Sequence, residues 1–243
     1  MEEGYAAIVV DPDAPGRLVI RDIEDPMPTP SEALVKVAAI SLNRGEVRRA
    51  HQAEAGWRPG WDLAGTLEQA AADGSGPKEG ARVVGLMRQG AWAEQVSVPT
   101  NALAELPEPV TFAQAASLPV AGLTALRSLE KGGLLAERRV LVTGASGGVG
   151  HFACALGKLS GAHIVGAIRT ANYRDAVLQA GAEDVVTGEE LEGVERLGPF
   201  DRGLGWPIQW NAQSEISAVS LVMEVMSLPF FTNPNRKRRR QPS

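Results

Sequence analysis

The 243-residue chain has a single cysteine, Cys154, and only three histidines, His51, His151 and His163. One cysteine cannot close an intrachain disulfide, and it excludes any multi-cysteine zinc site. The histidines are scattered without metal-ligand spacing, so no bound metal is expected. There is no excess of positive charge: 24 Lys and Arg stand against 29 Asp and Glu, a formal net charge of −5. That balance favours solubility and offers no nucleic-acid surface. No apolar run reaches the roughly 18 residues of a membrane span. Residues 1–7 carry Glu2 and Glu3 and lack the basic and apolar stretches of a signal peptide. These absences predict a cytoplasmic protein with neither a nucleic-acid nor a membrane partner.

What is present is ordinary globular composition, 44% hydrophobic and 22% charged, in a length that suits two modest domains. The first hundred residues read as β structure. Residues 6–10, 18–23, 33–40, 82–86 and 91–98 are short β-branched or alternating runs, punctuated by Gly and Pro. Such spacing predicts a small barrel or sandwich. Beyond Pro109 the pattern turns helical. Residues 111–117 have Thr111 as a candidate N-cap, and residues 120–131 space Leu123, Leu126 and Leu129 as a helix would before Gly132 and Gly133 stop it. From residue 139 strands and helices alternate: strands at 139–143, 162–168 and 184–187, helices at 149–159 and 172–180. Alternation of this kind implies a parallel sheet.

Between the strand at 139–143 and its helix lies GASGGVG, namely Gly144, Ala145, Ser146, Gly147, Gly148, Val149 and Gly150. A glycine-rich loop in this context points to dinucleotide binding. Gly147 would let the backbone approach a pyrophosphate, and Gly150 would let the helix pack close to the sheet. Ala145 holds the place of the usual first glycine. The helix start would supply N–H groups for the phosphates. A tight turn without a ligand is the alternative. The second strand of the unit ends in Ile168, Arg169, Thr170, with no carboxylate before Asp175. An NAD site places an acid there. Arg169 and Arg174 instead suit the 2′-phosphate of NADPH, unless both are simply solvated surface arginines.

Four segments together resemble the medium-chain dehydrogenase/reductase superfamily, in its zinc-free quinone oxidoreductase-like branch. They are SLNRGE at 41–46, PGWDLAG at 59–65, LPVAGLTAL at 118–126 and VLVTGASGGVG at 140–150, and GAED at 181–184 also fits. The resemblance covers about residues 5 to 200. It implies an α/β protein: an N-terminal GroES-like β-barrel domain (1–117), then a Rossmann-type parallel-sheet domain (118–201) that is incomplete. Zinc-dependent relatives carry Cys and His where this chain has Asn43 and Trp61, so no catalytic zinc is expected. The resemblance further implies an NADPH-dependent reductase that passes hydride to a quinone or enone. Asn43 would donate a hydrogen bond to the acceptor oxygen and Thr124 would fix the nicotinamide ring. Asn43 also reads as a plain turn residue. Asp62 is expected to order the turn at 60–65 and to stand outside the catalytic group, and Cys154 to be a small core residue.

After Asp201 the resemblance stops. Residues 202–243 are expected to be a divergent tail without a place in the sheet, with activity lost if the second half of the sheet is missing. Its basic run, residues 236–240, reads as a solvated tail or, alternatively, a nuclear localisation patch. A non-catalytic dinucleotide-binding or partner protein is the competing function, and a homodimer is the assembly to test for.

Overall fold

A computed structural model describes residues 4–188 and 193–204. The chain divides into two compact units, Met1–Val120 and Ala121–Ser243.

The first unit is mainly antiparallel β structure. Strands β1 (Tyr5–Val10) and β2 (Leu18–Ile23) form a two-stranded sheet. A second sheet of five strands takes in β3 (Glu32–Ile40), β4 (Asp62–Gln69), β5 (Arg82–Leu86), β6 (Gln95–Pro99) and β7 (Leu103–Glu105), in the order β6-β3-β4-β5-β7. Helix α1 (Arg44–Ala50) joins β3 to β4, and α2 (Phe112–Ala116) follows β7. Alternation along β3, β5 and β6 buries Ala33, Val35, Val83, Val96 and Val98 with Leu63 and Leu67 of β4 in one core. Arg82 closes the end of this sheet by donating to the carbonyls of Pro107 and Glu108, at 3.4 and 3.1 Å, and to that of Val110. Thr111 caps α2, its hydroxyl accepting from Gln114 N–H at 3.2 Å.

Helix α3 (Pro119–Lys131) leads into the second unit, whose strands are β8 (Arg139–Thr143), β9 (His163–Ile168), β10 (Asp184–Thr187) and β11 (Arg202–Leu204). Their order is β10-β9-β8-β11, with every pairing parallel. Helices α4 (Gly148–Leu159) and α5 (Arg174–Ala180) make the crossovers. Val140, Val142, Ala153, Cys154, Ile164, Ile168 and Val177 build a fully buried core between α4, α5 and one sheet face, and Leu141, Val165, Val186 and Val194 bury the other. Cys154 is a core residue, and burial pushes its thiol up to about 11.

Four of the strands and α-helices escaped the pattern reading: α1, β4, β7 and β11. The last corrects the expected loss of the sheet after Asp201, since residues 202–204 pair with Val140, Leu141 and Val142 of β8. Three residues that begin Arg-Gly have no periodicity to read. Their place is set by Asp201, whose carboxylate accepts from Arg139 N–H at 3.0 Å and from Arg138 at 2.9 Å. The basic run at 236–240 lies outside the described residues. No helix among the described residues is long and apolar enough to cross a membrane.

Candidate functional site

Asn43 is the N-cap of α1, in extended backbone at φ −108°. Glu46, three residues on, reaches back to it: Glu46 Oε2 accepts from Asn43 N–H at 2.6 Å, the reciprocal bond of a capping box. The same carboxylate accepts from Trp61 N–H through Oε1 at 2.5 Å. Glu46 is fully buried. That burial pushes it up to about 7, even though two N–H donors and the Asn43 side chain favour its charged form.

Asp62, the first residue of β4, is also fully buried. Its Oδ2 accepts from Asn43 Nδ2 at 2.7 Å and its Oδ1 from Val120 N–H, in the first turn of α3, at 2.9 Å. Burial raises its pKa as well, against the hydrogen bonds of Asn43, Val120 and Ser41. This corrects the reading of Asp62 as the residue that orders the turn at 60–65: its oxygens go to Asn43 and α3. Asn43 is thus held twice, by the backbone through Glu46 and by the side-chain amide through Asp62. The Asn43–Glu46 half was not read from the sequence, although the spacing N-x-x-E carries the signal of a capping box. The Asp62 half carries no such signal, because its partners lie 19 and 58 residues away in sequence. Among the described residues, no group of three or more His, Cys, Asp or Glu side chains is arranged to hold a metal ion.

In the second unit, the glycine-rich segment runs from the end of β8 into the first turn of α4. Gly144 takes φ +66° and Gly147 is the N-cap of α4. Ala145 is fully buried, and its N–H donates to Ala167 O of β9 at 3.1 Å. Ser146, Gly147 and Gly148 are exposed, Val149 is half-buried, and Gly150 is buried. A Cβ on Gly150 would lie 2.3 Å from Gly144 O and 2.7 Å from Ala145 Cα, so the helix touches the loop backbone itself. The first turn of α4 leaves its N–H groups without intrahelical partners.

Arg169 and Thr170 follow β9 and are exposed. Arg174 opens α5 and donates from Nη1 to Val185 O at 2.7 Å, so part of its guanidinium is engaged by the end of β10. Thr124 lies on α3, 1% exposed, and its Oγ1 has no hydrogen-bond partner. The hydroxyl of Thr143, just before the loop, is in the same condition.

Residues 29–108 match the family model of the alcohol dehydrogenase GroES-like domain. The human quinone oxidoreductase is 30% identical over 205 residues, covering 81% of this chain and 62% of that protein. A chloroplast envelope quinone oxidoreductase homolog of Arabidopsis thaliana is 32% identical over 202 residues, covering 76% and 61%. The chain therefore spans somewhat under two thirds of the length of these relatives. Among solved structures, the quinone oxidoreductase of Coxiella burnetii superposes with a TM-score of 0.76 at 26% identity, over 83% of this chain and 68% of that one. That of Thermus thermophilus, whose structures include a complex with NADPH, gives 0.73 at 27% identity, over 85% and 67%. With a GroES-like first unit, a parallel-sheet second unit and these relatives, the chain belongs to the medium-chain dehydrogenase/reductase superfamily, as a quinone oxidoreductase-like member.

Proposed function

We propose that the chain binds NADPH on the loop 144–150 and serves hydride transfer to a quinone or enone. The observation that carries this reading is the loop itself. Its backbone is pressed against the start of α4 at Gly150, with Ser146, Gly147 and Gly148 left exposed over the helix N-terminus. A strand-to-helix turn needs no such exposed glycines, whereas a pyrophosphate needs the close backbone approach and the partial positive charge of the helix start. The buried hydroxyls of Thr124 and Thr143, without partners, fit a polar ligand, and Thr124 is the residue assigned to the nicotinamide ring.

Bound NADPH would supply a hydride with both its electrons and be left as NADP+. The acceptor gains that hydride at carbon, negative charge grows on its oxygen, and one proton from solvent completes the reduction. Asn43 Nδ2 would donate a hydrogen bond to the acceptor oxygen as that charge develops.

Arg169 and Arg174 would hold the 2′-phosphate. Replacing Arg169 with Ala should weaken NADPH binding about tenfold or more, the value of a charge-assisted hydrogen bond, and leave NADH binding nearly unchanged. Arg174→Ala should also lose the bond to Val185 O, and so lower stability together with affinity. Equal losses for both cofactors in a fluorescence titration would remove the 2′-phosphate assignment.

Metal has no part in this proposal, since neither Asn43 nor Trp61 offers the ligand chemistry of Cys or His. Elemental analysis of the purified chain should find no stoichiometric zinc, and quinone reduction should survive dialysis against a chelator. A full equivalent of zinc that resists dialysis would contradict the metal-free reading.

A further inference from the structure

We infer that Asp62 is a positioning residue for Asn43, accepting a hydrogen bond from one of the two N–H groups of Nδ2 so that the other can be presented to the acceptor oxygen. This rests on the proposed role of Asn43 in quinone or enone reduction. An asparagine amide turns easily about its terminal torsion, and its oxygen and nitrogen can exchange places. A carboxylate accepts hydrogen bonds only, so facing Asp62 Oδ2 at 2.7 Å fixes Nδ2, not Oδ1, on that side. Asp62 has little freedom to follow a moving partner. It is fully buried, and its other oxygen holds Val120 N–H at 2.9 Å. Asn43 cannot slide along the chain either, because Glu46 grips its backbone N–H at 2.6 Å. With its backbone N–H held by Glu46 and Nδ2 held by Asp62, half-buried Asn43 keeps the nitrogen of its amide on the Asp62 side, and its second Nδ2 proton is left for the Glu46 carboxylate or the acceptor oxygen.

The competing role for Asp62 is a peg for the first turn of α3. A double-mutant cycle in the full chain separates the two. Turnover of 1,2-naphthoquinone with NADPH is measured for the unsubstituted chain, Asp62→Asn, Asn43→Ala and the double variant. Asp62→Asn should lower kcat by about 100-fold, the scale of a small misplacement at a reacting centre, with KM for NADPH unchanged. In the Asn43→Ala background the same change should cost less than about threefold. Equal losses in both backgrounds would overturn the inference. The orientation itself is read without turnover, from the side-chain amide of Asn43 in a nitrogen–proton correlation spectrum of the unsubstituted chain. One of its two protons should exchange with water far more slowly than the other. Equal, fast exchange of both would overturn the inference even if Asp62→Asn failed to fold. Absence of turnover in the unsubstituted chain would instead count against the proposed function, and the amide protons would still decide the role of Asp62.

Discussion

Gly150→Ala should destabilise the second unit by about 1 to 3 kcal/mol, the usual cost of forcing atoms into a packed site, and should abolish nucleotide binding. The sign is not obvious in advance, since alanine in a helix is favoured over glycine by roughly 1 kcal/mol. Geometry decides it. The new Cβ would sit 2.3 Å from Gly144 O, 2.8 Å from Gly144 C and 2.7 Å from Ala145 Cα, all backbone atoms with no side chain to swing aside. The loop cannot retreat, because Ala145 is fully buried behind it and its N–H is bonded to Ala167 O of β9. Gly148→Ala makes the matched control. There the Cβ would meet only Ala121 Cβ, at 3.5 Å, an ordinary contact. That variant should keep or slightly raise stability. Urea unfolding followed by far-ultraviolet circular dichroism compares the two, and a Gly150→Ala chain as stable as Gly148→Ala would refute the close-packing argument.

The legibility of this loop in the sequence has a physical cause. In β8 and α4 local pattern and tertiary role agree: a short apolar strand, glycines where the chain turns, and a helix whose Ala153, Cys154 and Gly157 face the core. Residues 139–143 and 184–187 could be placed to the residue for the same reason. Strand β4 failed because its sequence, DLAGTLEQ, is buried on both faces at its start and so lacks alternation. Its Gly65, which reads as a turn, is there because a Cβ would lie 2.0 Å from Lys36 O on the neighbouring strand. Helix α1 failed because RGEVRRA is one short amphipathic turn pair with glycine inside it. Nothing in its periodicity announces a helix, and the capping by Glu46 holds it in place. The site followed the same rule. Glycines and the missing acid after β9 are local signals. The link from Asn43 to Asp62 and on to Val120 exists only after the chain has folded.

Glu46 should make the first unit less stable as pH rises from about 5 to 7.5. Its pKa is raised by burial to about 7 in the folded chain, against 4.5 for the free side chain. The folded state therefore binds the proton more tightly than the unfolded state. A raised carboxylate contributes stability that is fully present below the unfolded pKa and is lost progressively until pH passes the folded one. Over pH 5 to 7.5 the expected loss is on the order of 2 kcal/mol, from about 1.4 kcal/mol per unit of separation. Above that window the contribution is flat. Asp62 is shifted in the same direction by burial, so its contribution also falls as pH rises. His163, on the other unit, is raised by Glu183 and Glu137. Its contribution likewise falls with rising pH, so the pH curve of the intact chain alone cannot isolate Glu46. The difference between the chain and Glu46→Gln does. Glutamine cannot ionise, and it sets an NH2 group where the carboxylate accepts from Asn43 or Trp61 N–H, so the variant should be the less stable of the two at pH 5. The gap between them should narrow by about 2 kcal/mol on going to pH 7.5, read from urea midpoints at fixed ionic strength. A gap that stays constant or widens over this range would mean that Glu46 is held as an anion by its N–H donors, with their attraction outweighing the cost of burying its charge.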